Sequence, residues 1–280
     1  MLSRFVIVAI LNAALVSHAL ASNAQSGDVG GTLHQEAAGF YITFDGDQMP
    51  GGVWASDYTH PDWWLDTAWA PDRAAATTGG LRLSIERSRV DGKPHTGAEM
   101  HTNGVHHYGR YEVVMTPAKG SGLVSSFFTW TGPQNGTPKD EIDIEFVGSD
   151  TTRVQINYFT GGKNFHGAWI DLPYDAADQP QLYAFEWDPD EIRWYVGDQM
   201  VYRADGSKLA IPTHAGSVIF NLWAGHPRLA GWTGPIHYED GASATYHCIS
   251  YAPPGDWGTR CSDHFSTDLP PVTISDGPGA

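Results

Sequence analysis

The chain has 280 residues, and its 32 Asp and Glu outnumber its 16 Lys and Arg, which gives a formal net charge of −16 at pH 7. Such a charge repels phosphate backbones and anionic lipid surfaces, so it excludes nucleic acids and anionic membranes as expected partners. It also favours a neutral polymer over a polyanionic one as substrate. The length suits one domain of about 210–230 residues.

Residues 1–21 have the pattern of a signal peptide. Arg4 precedes an apolar run, and Ala19 and Ala21 form a small-residue cleavage site. The run is short for a membrane-spanning helix. We therefore expect a protein that is secreted, outside the cell or into a periplasm, with no membrane association once the peptide is removed.

Three further segments follow along the chain. Residues 22–37 are small and polar and predict a flexible lead-in. Residues 38–261 hold the β-prone segments and predict one domain. Residues 262–280 contain Pro and Gly and few apolar side chains, which predicts a loose C-terminal tail.

The central domain consists of short segments rich in β-branched and aromatic residues, separated by Gly, Pro, Asn and Asp. This spacing predicts an all-β fold, an antiparallel β-sandwich or jelly roll, without a long helix. The predicted strands are Leu81–Ile85, Gly109–Met115, Gly122–Trp130, Glu141–Val147, Val154–Phe159, Tyr183–Trp187, Arg193–Val196, Val218–Trp223 and Thr245–Tyr251.

The fourth predicted strand carries the most informative pattern. Glu141, Asp143 and Glu145 alternate with apolar residues. Successive side chains of a strand point to opposite faces, so the three carboxylates share one face. Cleavage of a glycosidic bond needs paired carboxylates, one as acid and the other as nucleophile or base. The row therefore predicts a catalytic site.

Two structural interpretations of this row remain open. It could be a solvated edge strand whose charge prevents aggregation, or a carboxylate cluster that binds calcium. A retaining mechanism also needs the outer carboxyl groups about 5–5.5 Å apart. Four residues of flat strand span about 13 Å, so the strand must curve or the side chains must lean together.

Aromatic and amide residues end several of the apolar runs. Trp130 closes one run, Asn157 stands near the end of the next, and Asn221 and Trp223 end a third. Sugars stack their C–H faces on aromatic rings and hydrogen-bond to amides. These positions therefore predict a sugar-binding groove, although large aromatics also fill the cores of sandwiches.

The chain has two cysteines, Cys248 and Cys261. In an oxidising compartment they are expected to form a disulfide. His247 and His264 flank the pair, which leaves a zinc site as the alternative.

The sequence resembles glycoside hydrolase family 16, and within it the bacterial lichenases (endo-β-1,3-1,4-glucanases). The similarity runs in order from about residue 38 to residue 251. The matching segments are Gly122–Gly132, Asp140–Gly148, Asp150–Phe159, Tyr183–Trp187, Ile192–Val196 and Asn221–Trp223. The resemblance implies a concanavalin A-like jelly roll with a concave cleft, in which a polysaccharide is hydrolysed without a cofactor.

The resemblance also assigns roles by position. It implies that Glu141 is the nucleophile, Asp143 the assisting carboxylate and Glu145 the general acid/base. The residues that it places in contact with sugar are Glu99, Trp130, Asn157, Asn221 and Trp223.

Four positions depart from the family pattern. His101 stands where lichenases typically carry an arginine, and Lys139 where they carry an aromatic residue. Gly97 replaces a cysteine of the family's usual disulfide, and His247 replaces an aspartate that often helps to bind a structural calcium ion. The departures concern the choice of glucan and the calcium ion, and they leave the reaction type unchanged.

The sequence thus predicts a monomeric, secreted, retaining endo-β-glucanase that acts on lichenan-type β-1,3-1,4-glucan. The alternative substrates are a succinoglycan-type exopolysaccharide and laminarin. A non-catalytic carbohydrate-binding sandwich is the competing class, because fold does not determine function. The three acids favour the enzyme, since a binding module does not require Glu141 and Glu145 at this spacing.

Overall fold

The structure is a computed structural model that describes residues 38–164, 167–256, 258–266 and 270–272. The predicted signal peptide and lead-in lie outside the described residues. Within the described residues the helical elements are short: α1 (Ala230–Thr233) and 3₁₀ turns at Pro71–Arg73, Pro133–Asn135, Pro227–Leu229 and Cys261–Asp263. In this part of the chain no helix is long and apolar enough to cross a membrane.

The rest of the described fold is made of strands. They are β1 (Phe40–Thr43), β2 (Val53–Ala55), β3 (Tyr58–Thr59), β4 (Thr67–Trp69), β5 (Ala74–Thr77), β6 (Gly80–Ser84), β7 (His95–Thr102), β8 (Gly109–Thr116), β9 (Leu123–Thr131), β10 (Asp140–Val147), β11 (Arg153–Thr160), β12 (Lys163–Asn164), β13 (Ala168–Asp171), β14 (Gln181–Trp187), β15 (Glu191–Val196), β16 (Gln199–Asp205), β17 (Ser217–Ala224) and β18 (Ser243–Ala252).

The strands form two sheets. The eight-stranded sheet has the order β16-β15-β14-β8-β18-β6-β5, with β1 also paired to β18. The ten-stranded sheet has the order β12-β11-β10-β9-β17-β7-β4-β3, with β13 paired to β11 and β2 paired to β7. Among the described strands, neighbours are antiparallel except β4 and β7, which are parallel. The prediction of an all-β sandwich is confirmed.

The core lies between the sheets and is rich in aromatic rings. Phe127 on β9 faces Phe185 on β14, with ring centroids 6.2 Å apart. Phe146 on β10 meets Tyr183 on β14 at 4.8 Å, edge to face. Burying each such side chain contributes about 1.5–3 kcal/mol, and the edge-to-face geometry adds to that.

Two hydrogen-bonding side chains cross the core from the eight-stranded sheet. The hydroxyl of Tyr246 lies 2.8 Å from the Ser126 carbonyl oxygen and 3.0 Å from that of Asn221. The indole of Trp194 donates to the Asp143 carbonyl oxygen. The buried polar atoms of both rings are thereby satisfied. Each bond ends on the backbone of a strand that carries a predicted site residue.

The nine predicted strands are all present, with ends within two residues of the prediction. The pattern missed β7, which contains Glu99. One face of β7 carries two histidines, Gly97 and Glu99, the other carries two threonines, Ala98 and the apolar Met100, and most of these residues are buried. A strand of this kind shows no apolar alternation, so its sequence resembles a loop.

The C-terminal segment is held at two points. Cys248 and Cys261 form the predicted disulfide, with Cα atoms 5.9 Å apart. Val272 is buried, and its backbone exchanges two hydrogen bonds with the Gln199 side chain, at 2.7 and 2.8 Å. Within the described residues, an apolar side chain and an amide partner thus anchor the chain at Val272, and the loose tail over 262–280 stays a prediction.

Candidate active site

The three acids of β10 lie on the face of the ten-stranded sheet that points away from the core, here called the open face. Ile142 and Ile144 point the other way and are fully buried. The strand lies between β9 and β11 and is paired with both along most of its length. An edge strand has only one neighbour, so the edge-strand interpretation of the row is wrong.

Burial and mutual repulsion raise the proton affinity of two of these acids. Burial, followed by the charge of Glu141, raises the pKa of Glu145 to about 8, although Lys139 acts in the opposite direction. Burial also raises the pKa of Asp143 well above its usual range, and the charges of Glu141 and Glu145 add to the effect. Glu145 therefore holds a proton at neutral pH, as a general acid must.

Lys139 lies directly beside Glu141. Its Nζ is 2.6 Å from Glu141 Oε2 and 3.8 Å from the ring centroid of Phe159. Burial is the largest single effect on the pKa of Lys139 and lowers it, but the charge and hydrogen bond of Glu141, together with the charges of Asp143 and Glu145, leave the pKa raised. The lysine thus stays cationic at a position where an aromatic ring was expected by resemblance.

Glu99 is held by a group of polar side chains. Its Oε1 accepts hydrogen bonds from Ser56 Oγ at 2.8 Å and Tyr58 hydroxyl at 3.2 Å. His101 Nε2 lies 3.0 Å from the same oxygen. The His101 ring also stacks on Trp54, with centroids 4.2 Å apart and planes 7° apart. His101 therefore orients Glu99 and supports an exposed ring.

Strand register places Glu99 in line with Glu145. The cross-strand neighbours run Glu99, Asn221, Ser126, Glu145 and Gln155, on β7, β17, β9, β10 and β11. Ser126 Oγ donates to Asn221 Oδ1 at 2.5 Å, which links the middle of this row. Three strand spacings correspond to about 14 Å between the two acids. The row therefore provides polar groups along a line that crosses the strands.

Asn157 and Trp130 flank the acids on either side. Asn157 on β11 is the cross-strand neighbour of Asp143 and is buried. Its Oδ1 is buried and has no hydrogen-bond partner among the described residues. Trp130 on β9 is the cross-strand neighbour of Glu141 and is partly exposed.

Trp223 occupies a different environment from the other predicted sugar contacts. It is only 5% exposed and packs with the apolar side chains of Val124 and Val147. The rings of Trp64 and Trp232 lie 5.4 and 6.0 Å from it. Trp223 therefore supports two more accessible indoles rather than presenting a free ring of its own.

Sequence reasoning missed several residues of the open face. Ser56 lies in the connection between β2 and β3 and Tyr58 on β3; both hold Glu99, and nothing in their local pattern marks them. Trp64 lies in a connecting segment and Trp232 in the short helix α1. Trp232 Nε1 donates to Gln155 Oε1 at 2.5 Å, beside Glu145. Their only sequence signal is an indole in a turn-rich segment.

Gly97 and His247 are two of the four departures from the family pattern, and their surroundings give a physical account of each. A Cβ atom on Gly97 would lie 2.4 Å from the Leu222 carbonyl oxygen, so only glycine fits where β7 approaches β17. Burial lowers the pKa of His247, which favours a neutral imidazole. Calcium takes oxygen ligands, and no group of three His, Cys, Asp or Glu in the described residues could hold a metal ion. The residues at this position therefore do not fit calcium.

A family model, a relative and two solved structures that match this chain belong to the same group of proteins. Residues 62–240 match the model of glycosyl hydrolases family 16. A beta-glucanase of Bacillus subtilis is 39% identical over 219 residues, which cover 78% of this chain and 87% of the relative. The crystal structure of a prokaryotic beta-1,3-1,4-glucanase (lichenase) from a mouse hindgut metagenome superimposes with a TM-score of 0.72 at 38% identity, covering 78% of this chain and 100% of the other. The Bacillus licheniformis beta-glucanase gives 0.72 at 37% identity, covering 78% and 99%.

Proposed function

Because the chain belongs to glycosyl hydrolase family 16 and is a glycoside hydrolase, we propose that it is a retaining endo-β-glucanase that hydrolyses mixed-linkage β-1,3-1,4-glucan. The names of its relatives support this substrate, since the solved lichenase aligns over its whole length. The observation that carries the mechanism is the row of three acids on the open face, in which Glu145 is protonated at neutral pH.

In the first step, a Glu141 carboxylate oxygen attacks the anomeric carbon while the bond to the leaving oxygen breaks. Glu145 gives its proton to that oxygen, so the departing sugar leaves as a neutral alcohol. Asp143 lies between the two and hydrogen-bonds to Glu141. It orients the nucleophile, and burial raises its pKa well above the usual range, which disfavours a second negative charge beside Glu141.

In the second step, water attacks the anomeric carbon of the glycosyl-enzyme and the ester bond to Glu141 breaks. Glu145, now a carboxylate, takes the proton from water. Esterification has removed the charge of Glu141, which had helped to raise the pKa of Glu145. The same side chain therefore acts as acid and then as base, and the configuration is retained.

The polar row supports binding of a neutral glucan across the strands. Glu99 and Asn221 offer hydrogen bonds to sugar hydroxyls, and Trp130 and Trp64 offer ring faces. Lys139, the cation beside the acids, is paired with Glu141, so it does not offer a free positive charge to an acidic polymer. The hydrogen-bonding groups, the ring faces and the paired lysine together favour a neutral glucan over a charged exopolysaccharide as the substrate.

We further propose that the enzyme is exported, on the basis of the N-terminal pattern and the disulfide, which persists in oxidising compartments. Water is the proposed acceptor of the glycosyl group. The purified mature protein is to be incubated with lichenan, barley β-glucan, laminarin and succinoglycan, and the products sized. Preferential cleavage of lichenan and barley glucan supports the proposal, and a higher kcat/KM on laminarin or succinoglycan contradicts it.

A further inference from the structure

The ion pair between Lys139 and Glu141 has no part in the two steps above. The Nζ–Oε2 distance is 2.6 Å, and the lysine side chain is only 24% exposed. Both its ammonium group and its backbone are held in place. Phe159 lies beneath the ammonium, and the Lys139 carbonyl oxygen accepts a hydrogen bond from Gly162 N at 2.8 Å. The cation is therefore held in the site and has little freedom to swing into solvent.

Lys139 is surrounded by the acids of β10. The charges that act on it are those of Glu141, Asp143 and Glu145. The facing positions of the neighbouring strands carry no charge: Trp130 on β9, and Phe159 and Asn157 on β11. At the start of β10, Asp140 is paired with His214 at 2.8 Å, and its carboxylate also accepts from the backbone amides of Gly161, Thr213 and His214.

The charge balance changes during the proposed reaction. In the free enzyme, the positive charge of Lys139 offsets the negative charge of Glu141. Formation of the glycosyl ester neutralises Glu141, while Lys139 stays cationic and loses its partner. Glu145 is then left with an uncompensated positive charge nearby, at the stage when it must be a carboxylate that takes a proton from water.

We propose that Lys139 is a positioning residue for the second half-reaction, where its unpaired cation drives Glu145 to the carboxylate form that accepts a proton from water. The inference rests on the proposed function. The water oxygen bonds to the anomeric carbon, the ester bond to Glu141 breaks, and the water proton passes to Glu145. Glu141 leaves as a carboxylate and pairs with Lys139 again.

A titration that needs no turnover tests this inference. Carboxyl ¹³C NMR of glutamate-labelled protein follows Glu145 in four proteins: wild type, Lys139→Met, Glu141→Gln and the double variant. Glu141→Gln imitates the neutral ester. We expect its Glu145 to titrate below that of wild type, and the double variant to titrate above Glu141→Gln, because the cation that lowers the pKa of Glu145 has been removed.

Asp143 faces both glutamates, and its ionisation in Glu141→Gln would raise the pKa of Glu145. The comparison between Glu141→Gln and the double variant removes this effect, since both contain Asp143. Lys139→Gln is a second neutral variant if Lys139→Met does not fold. Lys208→Met is the control variant, because it also removes one positive charge, but at an exposed site. Equal Glu145 titration in Glu141→Gln and the double variant overturns the inference.

Kinetics on an aryl β-glycoside of a mixed-linkage glucan oligosaccharide, with a good leaving group, gives a second readout, because breakdown of the glycosyl-enzyme then limits kcat. Below neutral pH, we expect Lys139→Met to lose kcat about tenfold per unit by which the pKa rises, and Lys139→Arg to recover it. A loss equal at every pH indicates a packing role only and contradicts the inference. Failure of wild type itself to turn over contradicts the proposed function and leaves the NMR test valid.

Discussion

The indole Nε1 of Trp194 donates a hydrogen bond of 3.1 Å to the carbonyl oxygen of Asp143, across the core between the two sheets. Trp194 lies on β15 of the eight-stranded sheet and is fully buried. Asp143 is the middle acid of β10 on the ten-stranded sheet. The backbone that sets the position of the three acids is therefore anchored from behind.

Replacement of Trp194 by Phe should lower both stability and activity. The change leaves the Asp143 carbonyl without its donor, at a cost of about 1–3 kcal/mol in the free energy of unfolding. It also frees the middle of β10 to move, so kcat should fall. Urea denaturation and steady-state kinetics measure the two effects.

The matched control is Trp187→Phe, because Trp187 is equally buried and its Nε1 donates to the Pro212 carbonyl oxygen at 2.9 Å and not to the backbone of β10. It should lose similar stability and keep its kcat. Equal kcat in the two variants would show that the Trp194 bond does not position the site.

Glu141→Gln and Glu145→Gln should each abolish most activity while the fold stays intact. Each change keeps the shape of the side chain and removes the group that attacks or transfers a proton. General acid–base groups alone contribute about 10²–10⁴-fold. Circular dichroism checks the fold, and the exposed Glu239→Gln is the control. Near wild-type turnover by either variant on the best glucan would refute the assigned roles.

The rate should fall on the alkaline side as Glu145 loses its proton. Its pKa is raised to about 8 by burial and by Glu141, so the acid form predominates below that pH and is lost above it. A profile of kcat/KM against pH should therefore decline with a midpoint near 8. A flat profile up to pH 10 would show that another group supplies the proton.

Glu145 should also reduce stability at neutral pH. Unfolded glutamate has a pKa of about 4.3, so above that pH the unfolded chain releases the proton that the folded protein retains. The stability of the folded state therefore falls as pH rises from about 4.3 to about 8. Glu145→Gln should be more stable than wild type at pH 8 and similar to it at pH 4, as denaturant titrations at both values will measure.

The disulfide should leave no free thiol in the unfolded, unreduced mature protein. Cys248 and Cys261 are 13 residues apart, so the chain-entropy model gives at most about 3 kcal/mol of stabilisation. Thiol titration in denaturant tests the pairing, and unfolding with and without reductant tests its contribution. Two free thiols would contradict the pairing.

Sequence patterns predicted those strands in which apolar residues follow a single regular period. The period of two in β10 identified both its buried and its open face, because apolar and charged residues alternate from Glu141 to Phe146. Glu99 was placed only by resemblance, because β7 shows no regular apolar alternation. Ser56 and Tyr58 could not be predicted, since their role comes from a connection that brings them to Glu99 from a distant part of the chain.

Ring exposure was the least predictable property of the site. Trp223 and Trp64 are both tryptophans near apolar segments, yet Trp223 is buried by tertiary packing that involves Val124, Val147 and Trp232. A local pattern gives no information on that packing. The same holds for Lys139, whose partner Glu141 follows it closely in sequence but whose supporting ring, Phe159, comes from the next strand.

The placement of all three acids on one strand has a consequence for how this enzyme tolerates mutation. Deleting or inserting a single residue within 141–146 would exchange the inward and outward sets and turn the acids into the core. Length variation is therefore restricted to the segments beyond the ends of β10, such as residues 132–139. Libraries that alter substrate choice should vary those connections and leave the strand at constant length.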